Sequence, residues 1–450
     1  MNKAVLLFCL IFFAGAQVFA VTINLEQARV LALLNSRTLA RYNLVVRNNL
    51  LSERIHGYST LPSFSLGASA SASLWTSDGI PQNLARDSFS AGLSFSVSYD
   101  LWNGGRNAVR NAINSLTTEI SRQAALAEYY AVLNEADSFY YAVLEAAAAL
   151  EAAESSLATA ALSFEMAEIR RESGMISQAA FLQVLAEKAS IENTRNQRRR
   201  DLAVANLRLM DLLGLTQTPV LEPVDFYEHE ALILLLSTSG GSSLDRLFTA
   251  LWSHIQSRNP SMIRAALGSQ LSEKSVGLAV RDYSPTVSAS LSTGLFSYTI
   301  NGGFEPLGRG GLSLSARFPI DVWVTAANVE RQRIAQEQAA LDHRSAISSL
   351  DIELRTLILD LASQAGLILS SRRALDYALM HFDFVLELYR LAGNSPSDLS
   401  NAETLVRDSR NQLSRSQFSF LTGLSRIRSI GVFDSDEEII ALISSVLEQS

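Results

Sequence analysis

The chain has 450 residues, of which 48% are hydrophobic and 18% are charged, and its formal net charge is -8. This acidic balance argues against nucleic acid as a partner, because phosphate binding requires clustered Lys and Arg, and the single cysteine excludes a disulfide-stapled scaffold or a thiolate zinc site. Nine prolines are about 2% of the chain, against a usual level of about 5%, and they predict long uninterrupted elements.

Residues 1–20 have the pattern of an export signal. Lys3 begins a short positive region, an apolar stretch follows, and Ala20 completes a small-residue cleavage site. We expect a mature protein that begins at Val21 and has lost Cys9. After this signal the longest purely aliphatic run is residues 231–236, far short of the ~20 residues that a membrane helix requires. A membrane crossing would therefore have to use strands.

Residues 21–214 are predicted to form a first structural repeat. Residues at about 63–75 and 89–102 alternate apolar and small polar side chains, which is typical of strands with one apolar face. A long helix is predicted at about 105–170 and a return helix at about 177–213, since this stretch lacks proline and is rich in helix-forming residues. Apolar residues recur at every seventh position of the long helix: Tyr129, Ala136, Val143, Leu150, Leu157 and Phe164. A heptad pattern of this length predicts a left-handed coiled coil.

A linker at 215–242 leads into a second repeat at 243–431 with the same pattern, and residues 432–450 are predicted to be an acidic C-terminal tail. The elements of the second repeat are strands at about 286–296 and 311–322, a long helix at about 323–391 and a return helix at about 397–430. Its heptad positions are Leu354, Leu361, Ile368, Leu375, Phe382 and Tyr389. Each of them lies 225 residues after its counterpart in the first repeat.

Two further landmarks have almost the same spacing. Pro62 and Pro285 precede the first strands and are 223 residues apart, while Asn35 and Asn259 precede helices and are 224 apart. Three landmarks at nearly one spacing indicate an internal duplication.

The predicted strands suit a membrane, although a soluble sheet would show the same alternation. Tyr99, Trp102 and Trp323 stand near strand ends, where an interfacial aromatic belt would lie. Four strands cannot close a barrel, and lipid tolerates no open sheet edge because each unpaired backbone group costs several kcal/mol. A chain that spans must therefore span as an oligomer. Three copies give twelve strands and a possible lumen, whereas two give eight with little room inside.

The sequence contains no recognisable catalytic motif, and it predicts neither an enzyme nor a bound cofactor. Its five histidines lack metal-ligand spacing, and no nucleophile elbow is present. Two non-catalytic classes stay open at this point: an export duct, and a structural periplasmic coiled-coil protein whose strands form a soluble sheet. The serine-rich strand faces favour the duct, because an uncharged polar lining suits an aqueous lumen.

The order of short helix, strand, strand, long helix, tip turn and return helix, present twice, resembles the TolC-like outer-membrane efflux protein family. Residues 24–36 are similar to the opening helix of that family, residues 99–106 to its strand-to-helix exit, and residues 212–214 to the end of its first repeat. The resemblance extends to about Phe433. The second exit, at residues 318–323, lacks the glycine pair of the first.

This resemblance implies a mainly α fold with membrane strands. The expected assembly is a homotrimer whose twelve-stranded β-barrel, four strands per chain, lies in outer-membrane lipid and is continuous with a long periplasmic α-helical coiled-coil barrel. The implied location is the outer membrane of a double-membraned bacterium. The implied function is passive export of small molecules or proteins, within a tripartite efflux pump or a type I secretion system. A periplasmic adaptor would link the duct to an inner-membrane transporter.

The resemblance also places a periplasmic gate at the second hairpin tip, at Tyr389, Arg390, Asp398 and Asn401. Tyr389 and Asp398 match family gate positions, Asn401 stands where a second carboxylate is often found, and Arg390 is adjacent to the usual arginine. Threefold symmetry would bring three Asp398 carboxylates together, and their repulsion would raise their pKa values.

Both hairpin tips are candidate adaptor-docking sites, although plain turns would need the same residues. The candidate docking residues are Gly174, Met175, Ile176, Gly393, Asn394 and Ser395. Glycine permits the positive φ that a sharp turn between helices requires.

Overall fold

The computed structural model describes residues 22–73, 88–299, 303–306, 310–391 and 395–448. The predicted export signal lies outside these ranges. The chain divides into a helical unit, which comprises residues up to 39, 127–259 and 350 onward, and a sheet unit, which comprises residues 40–126 and 260–349. Of the helices in the described ranges, none combines the length and apolar character needed to cross a membrane.

Long helices dominate the chain. The helices are α1 Leu25–Asn35, α2 Arg37–Ser59, α3 Arg106–Glu172, α4 Gln178–Leu213, α5 Glu230–Thr238, α6 Gly241–Arg258, α7 Pro260–Val280, α8 Val322–Arg390, α9 Pro396–Gly431 and α10 Asp436–Glu448. The strands are β1 Thr22–Ile23, β2 Ser63–Ser73, β3 Ser88–Trp102, β4 Val220–Leu221, β5 Thr286–Thr299, β6 Gly303–Pro306 and β7 Gly310–Arg317.

The sheet unit contains one antiparallel sheet in the order β2-β3-β5-β7. β6 pairs with the far end of β5, on the same side as β7. The central β3–β5 pairing joins the two repeats, with Ser98 opposite Ser290 and Val97 opposite Leu291. Each repeat thus supplies one hairpin to a shared sheet.

Two strand ends differ from the sequence-based bounds. The strand predicted at 311–322 ends at Arg317, because Pro319 cannot donate to a ladder and residues 318–321 leave the sheet before α8. The strand predicted at 286–296 reaches Thr299, where it pairs with Gly303.

The exit from β3 into α3 depends on two glycines in left-handed conformations. Gly104 and Gly105 have φ of 66° and 77°, and a Cβ on Gly104 would lie 2.4 Å from the Cβ of Ser284. Arg106 then donates to Asp282 at 3.0 Å and to the Ser284 carbonyl at 3.0 Å. This contact ties the end of the first hairpin to the start of the second.

In the helical unit, the second heptad series is buried at both ends. Leu354, Ile368 and Tyr389 have no exposed side-chain surface. The first series contributes Ala136 and Val143 to the core. Seven-residue spacing keeps one apolar seam facing neighbouring helices, which is why these positions are buried over many turns.

The duplication is visible in a pair of asparagine contacts. Asn35 donates its side-chain amide to the Leu213 carbonyl at 2.6 Å, and Asn259 donates to the Ile430 carbonyl at 2.9 Å. In each repeat an asparagine that precedes a helix therefore satisfies a carbonyl at the end of the return helix, where helical partners are missing.

The segment predicted as a linker, residues 215–242, is part of the folded core. Its β4 pairs in parallel with β1, and the hydroxyl of Tyr140 lies 2.6 Å from the carbonyl of Glu222 next to that pair. Leu232 and Leu236 of α5 are buried. The helix within this segment was not predicted, because a short apolar helix between turn residues has too few periods to be recognised.

The segment predicted as an acidic tail, residues 432–450, contains a packed helix. Residues 436–448 form α10, whose Ile439, Ile443 and Leu447 share one buried face and which packs against α5 and α6. Its acidic first turn suits the N-terminus of a helix, where negative charge is favoured.

A buried charge network joins four helices of this unit. Asp137 of α3 is fully buried and accepts from Arg29 of α1 at 2.6 Å, from Arg428 of α9 at 2.7 Å and from Ser425. Asp436 of α10 accepts from the same two arginines, at 2.8 and 3.2 Å. Burial alone would lower the pKa of Arg29, but hydrogen bonding and charge from Asp137 and Asp436 raise it. The positive charges of the two arginines are therefore compensated by the negative charges of the two aspartates.

Asp137→Ala should destabilise the helical unit strongly, because it leaves Arg29 and Arg428 buried with one carboxylate instead of two. We expect a loss of about 3–5 kcal/mol in the free energy of unfolding. The measurement is denaturant unfolding in detergent, followed by circular dichroism. Glu353→Ala is the control, since it breaks a more exposed ion pair with Arg426 and should cost less than about 1 kcal/mol. Equal losses would contradict the role of the network.

Gly104→Ala should destabilise the sheet unit. A left-handed conformation costs an alanine about 1–2 kcal/mol, and the new methyl group would also displace Ser284. Gly268→Ala is the matched control, because this glycine lies in the interior of α7 with open space around it. Alanine should stabilise that helix by about 0.5–1 kcal/mol. Thermal melts of the two variants should therefore shift in opposite directions, and a common direction would refute this account.

Candidate functional site

The sheet has one serine face and one apolar face. Serine hydroxyls meet across neighbouring strands in five pairs at 2.6–2.8 Å: Ser63 with Ser98, Ser65 with Ser96, Ser71 with Ser90, Ser288 with Ser315, and Ser290 with Ser313. This serine ladder crosses both hairpins. The four long strands carry only two charged residues, Asp100 and Arg317, both near strand ends. The serine face is therefore polar, and the two charged residues of these strands continue its rows at one end, where Asp100 pairs with Ser288 and Arg317 with Thr286.

The opposite face consists of large apolar side chains that are exposed in the single chain. Phe64, Leu66, Leu312 and Leu314 are each at least 65% exposed. Exposed apolar surface of this extent marks an interaction with lipid or with protein. Tyr99, Trp102 and Trp323, the candidates for an aromatic belt, are also exposed.

The edges of the sheet are open. Within the described residues, β2 pairs only with β3, and β7 pairs only with β5. Each edge presents a row of backbone groups without a ladder partner, which is a template for pairing with another strand.

The first hairpin tip, between α3 and α4, is a compact turn. Gly174 has φ of 70°, and no atom lies within 4 Å of the position that a Cβ would take. Glycine is therefore favoured here by the backbone conformation and not by crowding. Met175 donates its backbone N–H to the Arg170 carbonyl at 2.8 Å, and Ser177 caps α4. The Met175 side chain is 71% exposed, whereas Ile176 packs against a cluster that includes Phe181. Met175 is thus the accessible apolar residue of this tip.

At the second tip, Asp398 takes part in a helix cap. Ser395 and Asp398 form a reciprocal capping box at the start of α9. Hydrogen bonds from the Ser395 hydroxyl and backbone N–H lower the pKa of Asp398 in the single chain. Of the candidate docking residues, Gly393 and Asn394 lie outside the described residues.

Tyr389, the predicted gate tyrosine, is buried among helices of the helical unit. Its hydroxyl donates to the Ser163 carbonyl at 3.4 Å, and Arg170 stacks on its ring with 4.3 Å between guanidinium carbon and ring centroid. Arg170 also donates to the Tyr389 carbonyl. Arg390 is exposed and pairs with Glu387 at 2.8 Å, and Asn401 is exposed.

Sequence reasoning missed Arg170 as the arginine partner of Tyr389. It lies 219 residues earlier in the chain, in the last turn of α3, and no spacing rule connects the two positions. The only signal was the pair of arginines, Arg170 and Arg171, directly before the glycine turn. In the described part of the chain, no three metal-ligating side chains are grouped so that they could hold an ion.

The family comparison matches the first repeat. Residues 28–215 match the model of the outer membrane efflux protein family. No curated protein matches the sequence.

Several solved outer-membrane channels share the fold across nearly the whole chain. The CmeC outer membrane channel of Campylobacter jejuni has a TM-score of 0.75 at 14% identity, over 97% of this chain and 94% of its own. CusC, described for its transmembrane channel formation, has a TM-score of 0.73 at 18% identity, over 96% and 94%. The outer membrane protein VceC from Vibrio cholerae has a TM-score of 0.71 at 16% identity, over 90% and 96%.

These comparisons confirm the fold expected from the sequence, a mainly α chain in which duplicated hairpin strands accompany long coiled-coil helices. Residues 28–215 are therefore similar to the outer membrane efflux protein family, and the chain over nearly its whole length has the fold of solved outer-membrane channels.

Proposed function

We propose that this chain is the protomer of a homotrimeric exit duct that passively conducts small molecules or proteins out of the cell. The observation that carries the proposal is the two-faced sheet with open edges. Its exposed apolar face suits lipid, its serine face, charged only at one end, suits an aqueous lumen, and its edges require partners.

Strand direction supports closure by copies of the same chain. All neighbouring long strands in the order β2-β3-β5-β7 are antiparallel, so β2 and β7 run in opposite directions. β7 of one copy can therefore pair antiparallel with β2 of the next, and four strands per copy keep the total even. Three copies give twelve strands, enough for a lumen.

The duct has no energy source of its own and would receive cargo from an inner-membrane transporter through a periplasmic adaptor. The setting is a tripartite efflux pump or a type I secretion system. The exposed Met175 at the first tip supports adaptor docking there, since its flexible apolar side chain adapts to a partner surface. At the second tip, Ser395 is engaged in the helix cap, and its neighbours Gly393 and Asn394 complete the docking candidates.

The periplasmic gate is proposed at Tyr389, Arg390, Asp398 and Asn401, with Arg170 added as the arginine that holds Tyr389 in place. Asp398 is accessible and charged, so three copies around an axis would form a carboxylate ring that attracts cations. Such a ring would act against the lowering of the Asp398 pKa by its cap.

Cysteine pairs across the open edges test the assembly. Ser65→Cys in β2 should be combined in turn with Ser313→Cys and with Ser315→Cys in β7, because the register between copies is one of the quantities measured. If β7 pairs with the next β2, oxidation should give dimers and trimers on denaturing gels, and nothing larger. The oxidised protein should also fractionate with the outer membrane and conduct in planar bilayers.

The matched control is Ser290→Cys with Ser313→Cys. These serines face each other within one chain, with hydroxyls 2.7 Å apart, so their crosslink should leave a monomer band. Monomers from every edge pair, with the protein in the soluble periplasmic fraction, would favour the structural coiled-coil protein instead.

Asp398→Ala should raise single-channel conductance or abolish inhibition by divalent cations, because it removes the carboxylate ring. Ser395→Ala separates this effect from helix capping, since it removes the capping hydroxyl and keeps the carboxylate. Divalent inhibition should survive in Ser395→Ala. Identical traces from Asp398→Ala and the unaltered protein would count against the gate.

A further inference from the structure

A small polar cavity lies between α3, α4 and α9 of the helical unit. It has a volume of about 20 Å³ and is lined by Ser156, Glu187, Leu399 and Glu403, among others. This volume is enough for about one water molecule. Glu403 enters the cavity from α9 with only 9% of its side chain exposed. A carboxyl group buried to this extent requires compensation.

The single hydroxyl hydrogen of Ser156 can serve only one of its two contacts. Its hydroxyl lies 3.0 Å from the Ala152 carbonyl, to which it donates, and it also contacts Oε1 of Glu403. A serine hydroxyl has a single hydrogen, and a carbonyl has none to give. When Ser156 donates to Ala152, the contact with Glu403 can be a hydrogen bond only if the carboxyl supplies the proton.

The surroundings of the other oxygen of Glu403 also favour the protonated carboxyl. Oε2 is buried and has no hydrogen-bond partner among the described residues. The Arg407 guanidinium lies 3.8 Å away, beyond hydrogen-bond distance, and also pairs with the neighbouring Asp408. An unpartnered oxygen costs more in an ionised carboxylate than in a neutral carboxyl, because the lost solvation of a charged group is larger.

The other charged groups around the cavity do not neutralise Glu403. α3 lines it only with Ser156, Thr159, Ala160 and Ser163, and α8 contributes no lining residue. α4 contributes Glu187 and Lys188, but the ammonium of Lys188 lies over the Phe164 ring, 4.6 Å from its centroid. Burial raises the pKa of Glu403, and burial also raises the pKa of Glu187.

We propose that Glu403 binds a proton in the packed hairpins, and that this proton holds the first half of α9 against α3 and α4. The packed state binds more protons than the open one, so packing is strongest at low pH and weakens as pH rises through the raised pKa of Glu403. One proton per packing event changes the packed-to-open ratio by at most about tenfold per pH unit. Any effect of this packing on conduction would rest on the proposed duct function, whereas the assignment of the proton to Glu403 does not.

The test compares full-length protein with Glu403→Gln, which keeps the shape, the neutral charge and a donor to Ser156. Glu192→Gln is the matched control, because it makes the same chemical substitution at an exposed position of α4. Amide hydrogen exchange of residues 396–407, corrected for the intrinsic pH dependence of exchange, reports on packing. Infrared spectroscopy reports on the protonated carboxyl directly.

In the unaltered protein and in Glu192→Gln, protection of these amides should fall with rising pH, and the infrared band of a neutral carboxyl should disappear over the same range. Glu403→Gln should remain protected throughout and should lack the band. Persistence of the band in Glu403→Gln, with its loss in Glu187→Gln, would overturn the assignment to Glu403. Flat protection in the unaltered protein would overturn the role in packing. Neither hydrogen exchange nor the infrared band requires conductance or a trimer. Both can therefore be interpreted even if the duct proposal fails.

Discussion

The open edges of the four-stranded sheet are the constraint on which the rest of the architecture depends. A backbone group without a partner costs several kcal/mol in lipid, so a sheet with one apolar face and two open edges is not a stable membrane structure by itself. The chain meets this constraint by duplication. Each repeat supplies one antiparallel hairpin, and the β3–β5 pairing joins the hairpins without using the outer edges. The edges that remain have opposite directions and can pair with copies of the same chain.

A second constraint governs the helical unit, where very long helices must be held at one position along each other by a narrow apolar seam. Apolar heptads supply a continuous seam but little positional specificity along it. Polar groups provide that specificity: Asp137 engages arginines from two other helices, and Asn35 and Asn259 terminate the return helices. Each contact is satisfied only at one register, so slippage along the seam would leave a buried polar group unpaired.

Much of the fold could be predicted from the sequence, because strands of period two and helices of period seven carry strong signals. The duplication was equally visible as a spacing of 225 residues between heptads. Short elements were missed: α5 and α10 have too few turns for periodicity to separate them from a linker or a tail. The buried partners were missed for another reason. Arg29 and Asp137 are 108 residues apart, and only the fold brings such distant positions together.

The second tip illustrates why position alone does not determine the role of a charged residue. Asp398 and Glu403 are five residues apart on α9, yet the first is a solvated cap whose pKa is lowered and the second is a buried group whose pKa is raised. The difference arises from what each side chain meets, which is Ser395 and water in one case and a small cavity in the other. Two carboxyls with opposite shifts on one helix can respond to different ions, since a solvated carboxylate attracts cations and a buried carboxyl binds protons. Neighbouring turns of α9 can thus respond to both kinds of ion without any additional domain.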